Sequence, residues 1–505
     1  MVIGILKKYG PCLSSELAER LVDNYGLTPA AARKRISRSG EIVKKLGHLP
    51  FPKKARFIYL QENYASPWYW KNLHKAIYES GGAYSRALGA VLGRTVLPIE
   101  HFRIACGAPI AQKKHISADT VLERLIAADV LVKTQITGLG CCVVTKSTYE
   151  YYPCSEDDFF IEVKGRLAAE AVLIDSVKEW LKRLGFASYH SVKARSALND
   201  SPMVGTFSWD ITAPSYMSGL TTWKSGQLKP GFVVCDVLLN GEVDMHSIDP
   251  FLYKVSSTKS LRNVGSVMFI FVAQGYSKEA FSALKTAGVI PATPQSLFGK
   301  DVAEGFKGLI HTFENAMQGN LNPDDFNNVF EKLGKLEGAL GNMRGTFFEF
   351  LVAEVIRKTA PATVELNKDI RTLDGESAEV DIWVIKEGVV VQAVECKGMA
   401  PGVVLDDKEI DLWLDTRILR VRRYLNQYLK WKDPKPRFEL WTSGILSEAS
   451  LLRIEKTRKI NAKKFDLIVV GPEDILDKLS DFKDKALRNS FQYFLPKKKR
   501  VKSKG

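Results

Sequence analysis

The chain is poor in organised sulfur and in long apolar runs, and both absences narrow what it can be. Seven cysteines lie scattered at 12, 106, 141, 142, 154, 235 and 396. None forms a Cys-x-x-Cys, and Cys141 and Cys142 are adjacent, which suits neither a zinc ribbon nor a disulfide framework. A reducing, cytoplasmic setting is therefore expected. The histidines are equally dispersed, with no His-Glu-x-x-His or His-x-His, so zinc chemistry is not expected. No Gly-x-x-x-x-Gly-Lys-Ser/Thr occurs, which excludes a recognisable P-loop nucleotide motor. The longest apolar runs, such as residues 266–273, have the length of a strand, so neither a membrane span nor a membrane partner is expected. The opening Met-Val-Ile-Gly-Ile-Leu-Lys-Lys is too short in its apolar part for a secretory signal.

What is present is a long, basic chain. Its 505 residues exceed a single core and predict several domains, and 45% apolar with 26% charged residues is globular composition. The formal charge of +15 is unevenly placed. Residues 1–60 hold 12 Lys/Arg against 4 Asp/Glu, and residues 496–505 add six basic residues with no acid. The two ends thus account for 14 of the 15 charges and leave the middle near neutral. Basic ends point to a polyanionic partner, because each phosphate contact releases counterions. The tail at 496–505 also resembles a nuclear-import signal, and its bland reading is a solubilising terminus.

Residues 13–39 read as two helices about a tight turn. Leu13-Ser-Ser-Glu16 predicts a capping box, Gly26 a helix stop, and Thr28-Pro29 a restart with proline at the first helical position. The second helix keeps Ala31, Ala32 and Ile36 for packing and turns Arg33, Lys34, Arg35 and Arg38 outward. A β-ribbon is expected from Gly47 to Leu60, with Lys53, Lys54 and Arg56 near its turn. Helix, turn, basic helix and ribbon resemble a winged helix-turn-helix over 1–64, which implies double-stranded DNA as partner. A second winged-helix-like unit is expected over 65–152. It has a helix from Trp68, another from Ser117 running into a strand, and a hairpin tipped by Gly138-Leu-Gly140. Its even charge leaves packing or partner recognition as open as DNA contact.

The densest chemistry lies near the C-terminus. Two β-type runs, residues 378–385 and 389–398, flank a turn at Lys386-Glu387-Gly388, and each carries acid into an apolar segment. The second ends in Glu395-Cys396-Lys397. Residues two apart share a strand face, so Glu395 and Lys397 project together while Val394 and Cys396 point the other way. Setting a carboxylate and an ammonium at the end of an apolar strand costs desolvation free energy, which a divalent metal, a water and a phosphate would offset. A plain strand-end ion pair contributes only about 0–1 kcal/mol at a surface and gives little reason for the clustering.

Ahead of this pair, residues 345–356 read as a helix, apolar on most sides yet carrying Glu349 and Glu354. After it come a helix over 412–431 bearing Arg417, Arg420, Arg422 and Arg423, then strand, helix and strand to about residue 470. This order and these residues resemble the PD-(D/E)xK nuclease superfamily, which includes many restriction endonucleases and Holliday-junction resolvases. The resemblance covers the catalytic domain expected at 344–495. It implies an α/β domain with a mixed sheet, helices on both faces and Mg²⁺ as cofactor, with Mn²⁺ as substitute. It also implies that Glu349, Asp381, Glu395 and the main-chain carbonyl of Cys396 gather around the metal while Lys397 orients the attacking water. Glu354 is the alternative helix acid and Glu379 competes with Asp381. Val380 stands where the family has proline.

Residues 153–312 repeat the order with weaker chemistry. Glu170 stands on a helix where Glu349 does, Asp210 and Asp236 fall on the next two strands, and residues 269–280 match 438–449 in their strand-to-helix turn. This resembles a degenerate restriction-endonuclease-like domain of the Mrr-type group that has lost Glu-x-Lys. With no lysine beside Asp236, no hydrolysis is expected there, and the role is structural or DNA-positioning. Residues 313–343 read as a helical linker.

The expectation is therefore a multidomain chain: an α-rich winged helix-turn-helix region followed by two α/β nuclease-like domains, the first degenerate. The implied activity is Mg²⁺-dependent endonuclease cleavage of DNA, by analogy in prokaryotic restriction or anti-phage defence. The rivals are a transposon or repair nicking nuclease and a non-catalytic DNA-binding regulator. One centre cuts one strand, so double-strand cleavage implies a homodimer, a partner subunit or two nicks.

Overall fold

The computed structural model describes residues 1–136, 139–151, 156–187, 191–195, 201–224, 226–261, 263–334, 336, 339–359, 362–386, 389–427 and 435–495. The tail at 496–505, Gly138 of the expected hairpin tip, Glu387 and Gly388 of the expected turn and the end of the helix expected to reach residue 431 lie outside them. The described residues divide into two compact units. One is built from Met1–Ile136, Gly140–Phe159 and Trp180–Leu297; the other contains Phe160–Glu179 and the chain from Phe298. The architecture is multidomain α/β with mixed sheets. Among the described residues no helix is long and apolar enough to cross a membrane.

The first unit opens with the helix Val2–Tyr9, which buries Val2, Ile5 and Leu6 and was not foreseen from so short an apolar stretch. Helices Ser14–Tyr25 and Pro29–Ser37 follow. Gly26 adopts the left-handed conformation that stops the first, and the Thr28 hydroxyl accepts from the Ala31 N–H to start the second. The expected capping box does not form. The Ser14 hydroxyl instead accepts from the Arg56 N–H at 3.0 Å, and Glu16 pairs with Arg20 one turn on. Ala32 and Ile36 are buried as expected, whereas Ala31 is exposed. The ribbon begins earlier than expected: Val43–Lys45 and Cys12–Leu13 both pair antiparallel with Phe57–Leu60. Residues 47–55 are the loop between its strands, with a short 3-10 turn at Pro52–Lys54.

Next come the helices Pro67–Ser80, Gly82–Leu92, Ile99–Ala105 and Ala118–Ala127 with a three-stranded sheet of Val96–Pro98, Gly140–Thr145 and Leu131–Ile136. They pack tightly on the helix Met245–Lys259. A Cβ on Gly89 would stand 2.7 Å from the His246 carbonyl oxygen, and one on Gly107 2.7 Å from the Pro250 Cα, so backbone meets backbone at both places. The unit's main sheet runs Val289–Ala292, Val267–Tyr276, Gly231–Val243, Ile211–Ser215, Lys193–Ala194. Its first two pairings in chain order are antiparallel and its last two parallel.

The second unit has the same sheet. Thr363–Arg371, Ser377–Lys386 and Val389–Lys397 pair antiparallel in succession, and Arg437–Thr442 and Asp466–Val470 extend the sheet in parallel. Order and direction match the first sheet strand for strand. The strand Thr363–Arg371 was missing from the order expected of the sequence, because it is a polar edge strand with one buried residue, Ile370, and shows little apolar alternation. The segment expected as a linker, 313–343, carries the end of the helix Lys300–Met317 and the whole helix Pro323–Leu333, which bury Phe313, Phe326 and Phe330 in the second unit.

Candidate active site

Three elements of the second unit bring the acidic residues together. The pairing of Ile382 with Val394 carries Asp381 opposite Glu395 one step along the ladder. Asp381 is held there by the Cys396 N–H, which donates to its Oδ2 at 2.7 Å. Where the strand ends, the Lys397 carbonyl accepts from the Thr442 hydroxyl and the Ser443 N–H, both at 3.2 Å, so the Lys397 backbone is pinned. Gly398 then lets the helix Ala339–Thr359 close on the strand. A Cβ at Gly398 would lie 2.5 Å from the Arg344 carbonyl oxygen and 2.4 Å from the Phe348 Cβ. That approach sets Glu349, one residue beyond Phe348, against the hairpin. We expect Gly398→Ala to force helix and strand apart, lowering stability by about 1–3 kcal/mol. Chemical denaturation reads this; wild-type stability would mean that the helix docks by other contacts.

The acids crowd one another. Burial, then the charges of Asp381 and Glu379, push the Glu349 carboxyl well above the ordinary glutamate range. Burial also raises Asp381, against the opposing pull of the Cys396 N–H, Lys397 and Arg417. Glu379 is raised by burial and by Asp381 and Asp369. The Cys396 thiol is pushed well up by burial and by the same carboxylates, so it stays a thiol. Lys397 reaches Glu395 Oε1 at 3.1 Å and Glu409 Oε2 at 2.8 Å. Arg417, from a π-helical turn at Trp413–Arg417, pairs with Glu395 as well. Six acids, Glu349, Asp369, Glu379, Asp381, Glu395 and Glu409, thus lie among three cations, Lys164, Lys397 and Arg417. The excess of carboxyl groups over cations and the hard oxygen donors suit a divalent cation.

The structure separates the two helix acids. Glu349 faces Asp381, whereas Glu354 pairs with Arg357 and Lys358 of its own helix. Of the four helix arginines, only Arg417 pairs with one of the four expected catalytic residues. Arg420 donates to the Ser377 carbonyl, Arg422 lies over the Phe465 ring, and Arg423 pairs with Asp374 and Glu376. Glu409 was missed in the sequence because it lies on Asp407–Leu412, ahead of the helix expected from 412, and the Arg417–Glu395 pair because nothing in the spacing separates Arg417 from the other arginines of that helix. At the other end of the chain, Arg33, Lys34, Arg35, Arg38, Lys53, Lys54 and Arg56 are all exposed.

The first unit holds the counterpart. Ile211 pairs with Cys235, which puts Asp210 opposite Asp236 in the register of Asp381 and Glu395. Asp210 Oδ2 accepts from the Val237 N–H at 2.6 Å, as Asp381 does from the N–H of Cys396. A lysine does stand beside Asp236, contrary to expectation: Lys254, 18 residues on, donates to Asp236 Oδ2 at 2.6 Å. It comes from the next helix, where strand periodicity gives no hint of it. Its ammonium also donates to the carbonyls of Ile104 and Ser208, and Arg195 pairs with Asp210 at 2.9 Å. Two buried carboxylates here meet two cations, and all four side chains are shut from solvent. Glu170, the expected helix acid of this copy, lies in Phe160–Glu179, a segment of the second unit, and is bonded to Arg166 at 3.0 Å. No protein-family model, curated protein or solved structure matches this chain.

Proposed function

We propose that the chain is a metal-dependent DNA endonuclease with one working centre, at Glu349, Asp381, Glu395 and Lys397. The observation that carries this reading is the charge imbalance at the end of the strand Val389–Lys397, set beside a twin of the same topology whose charges cancel. Glu349, Asp381, Glu395 and the Cys396 carbonyl would hold Mg²⁺ or Mn²⁺, which when bound supplies Lewis-acid stabilisation of the phosphate and an acidified water. Lys397 would donate a hydrogen bond to the attacking water and orient it, with Glu409 fixing the ammonium from the other side. Arg417 neutralises negative charge near the scissile phosphate. The basic helix Pro29–Ser37 and the ribbon after it would act as a winged-helix reader of double-stranded DNA, with Arg33, Lys34, Arg35, Arg38, Lys53, Lys54 and Arg56 on phosphates or base edges. Prokaryotic restriction or anti-phage defence is the setting this combination fits.

The direct test is plasmid DNA with the purified chain and Mg²⁺ or Mn²⁺, read as nicked and linear product. A second reading, a non-catalytic DNA-binding regulator, has one observation in its favour. Glu395 is already paired with two cations, and among the described residues no three carboxylate, imidazole or thiol groups form a ready metal cluster. Binding without cleavage under every metal would establish the regulator. For the N-terminal reader, Arg33→Ala with Arg35→Ala should weaken binding to any DNA sequence and flatten the slope of log affinity against log salt by about 2. An unchanged slope would move recognition elsewhere.

A further inference from the structure

The two copies of the sheet differ in the connection between their second and third strands. In the second unit only residues 387 and 388 separate Ser377–Lys386 from Val389–Lys397. In the first unit fifteen residues, 216–230, separate Ile211–Ser215 from Gly231–Val243. They rise into a separate two-stranded ribbon, Thr222–Lys224 paired with Gln227–Lys229, with Trp223 opposite Leu228. Trp223 is 76% exposed, against 40% for Trp68, the next most exposed described tryptophan. Tyr216 and Leu228 are exposed with it. On a ribbon of two short strands in which no described side chain is buried, the Trp223–Leu228 cross-strand pair adds only about 0.2–1 kcal/mol and leaves most of the indole uncovered.

Its base, in contrast, is fixed. The Leu220 and Thr221 N–H groups both donate to the Met217 carbonyl. Gly231 at the foot admits no side chain, because a Cβ there would lie 2.5 Å from the carbonyl oxygens of both Leu220 and Ser266. The aromatic ribbon therefore rises from a hydrogen-bonded, closely packed foot.

Charge indicates what covers it. From residue 211 to residue 235 the chain has no Asp or Glu and two lysines, Lys224 and Lys229, both in the ribbon. Exposed indole with basic neighbours and no acid matches the chemistry of nucleic acid, whose backbone takes the ammonium groups and whose bases present flat faces for stacking. We propose that the ribbon of Thr222–Lys224 and Gln227–Lys229 is a second DNA-contacting element, in which Trp223 stacks on or wedges between bases while Lys229 holds the adjacent phosphate. The copy without an open acidic centre would then contribute grip and distortion rather than hydrolysis. This rests on the reading of DNA as the substrate.

The test is equilibrium binding of the full chain in EDTA, so that cleavage plays no part, to a duplex carrying 2-aminopurine as a stacking reporter. Trp223→Ala should weaken binding roughly 5- to 150-fold and abolish the 2-aminopurine change, with the salt slope intact. Trp223→Phe should restore most of both. Lys229→Ala should lower the salt slope by about 1 and leave the stacking signal. Wild-type affinity and signal in Trp223→Ala would overturn the inference, as would a loss of self-association in its place. Cleavage with unaltered binding in Trp223→Ala sinks this inference alone; Trp223-dependent binding without any cleavage sinks the nuclease reading alone.

Discussion

Replacing Lys397 by alanine is expected to reduce Mg²⁺-dependent DNA cleavage roughly 10²- to 10⁴-fold, the range over which positioned proton-transfer groups act. The side chain sits between Glu395 and Glu409, 21% exposed, with its backbone pinned by Thr442 and Ser443. Its removal therefore takes away the group proposed to orient the water and leaves the fold standing. Asp381→Asn should lose as much for another reason: the amide keeps the shape but withdraws a carboxylate proposed as a metal ligand. DNA affinity measured in EDTA should be unchanged for both variants, or tighter for Asp381→Asn, which carries one negative charge fewer. Plasmid nicking beside a binding isotherm decides the matter. Cleavage that persists in both variants would place the chemistry outside this hairpin.

The same substitution at Lys254 should do the opposite. Lys254→Ala would leave Asp236 buried without its counter-charge and would strand the carbonyls of Ile104 and Ser208. Breaking a buried pair from one side typically costs about 3–5 kcal/mol, so a large fall in unfolding free energy or melting temperature is expected. Cleavage per folded molecule should stay at the wild-type level. Combining Asp236→Asn with Lys254→Met should recover part of the loss, because then no isolated charge is buried. If Lys254→Ala instead leaves stability intact and abolishes cleavage, this copy is a working centre.

The contrast between two lysines, one expected to act in catalysis and one in stability, follows from geometry rather than residue type. Lys397 shares its strand with Glu395 and faces an acidic surplus that it cannot neutralise. Lys254 comes from a helix into a sealed site where Arg195 already balances the second carboxylate. The first arrangement leaves an unmet demand for positive charge; the second meets it with the chain's own side chains.

Much of the candidate site was legible because strand periodicity is short. Two residues apart means one face, so Glu395 and Lys397 could be grouped from their spacing, while Asp381, on the neighbouring strand, was joined to them by the family resemblance. Gly26 and Thr28-Pro29 were legible for the same local reason, since their backbone preferences need no tertiary partner. The edge strand Thr363–Arg371 was not, because a strand paired on one side only can be polar throughout. The capping box at Ser14 failed because a distant N–H, that of Arg56, took the hydroxyl.

By itself the sequence determined the residue types at the hairpin, their shared face, the basic ends of the chain and the echo of one sheet in another. Only the tertiary structure decided which helix acid faces the hairpin, that Arg417 and Glu409 close the site, and that Lys254 and Arg195 cancel its twin. The physical reason is range. Strand alternation and helix capping act over a few residues, while charge balance at a buried site is set by groups that the fold brings in from separate elements.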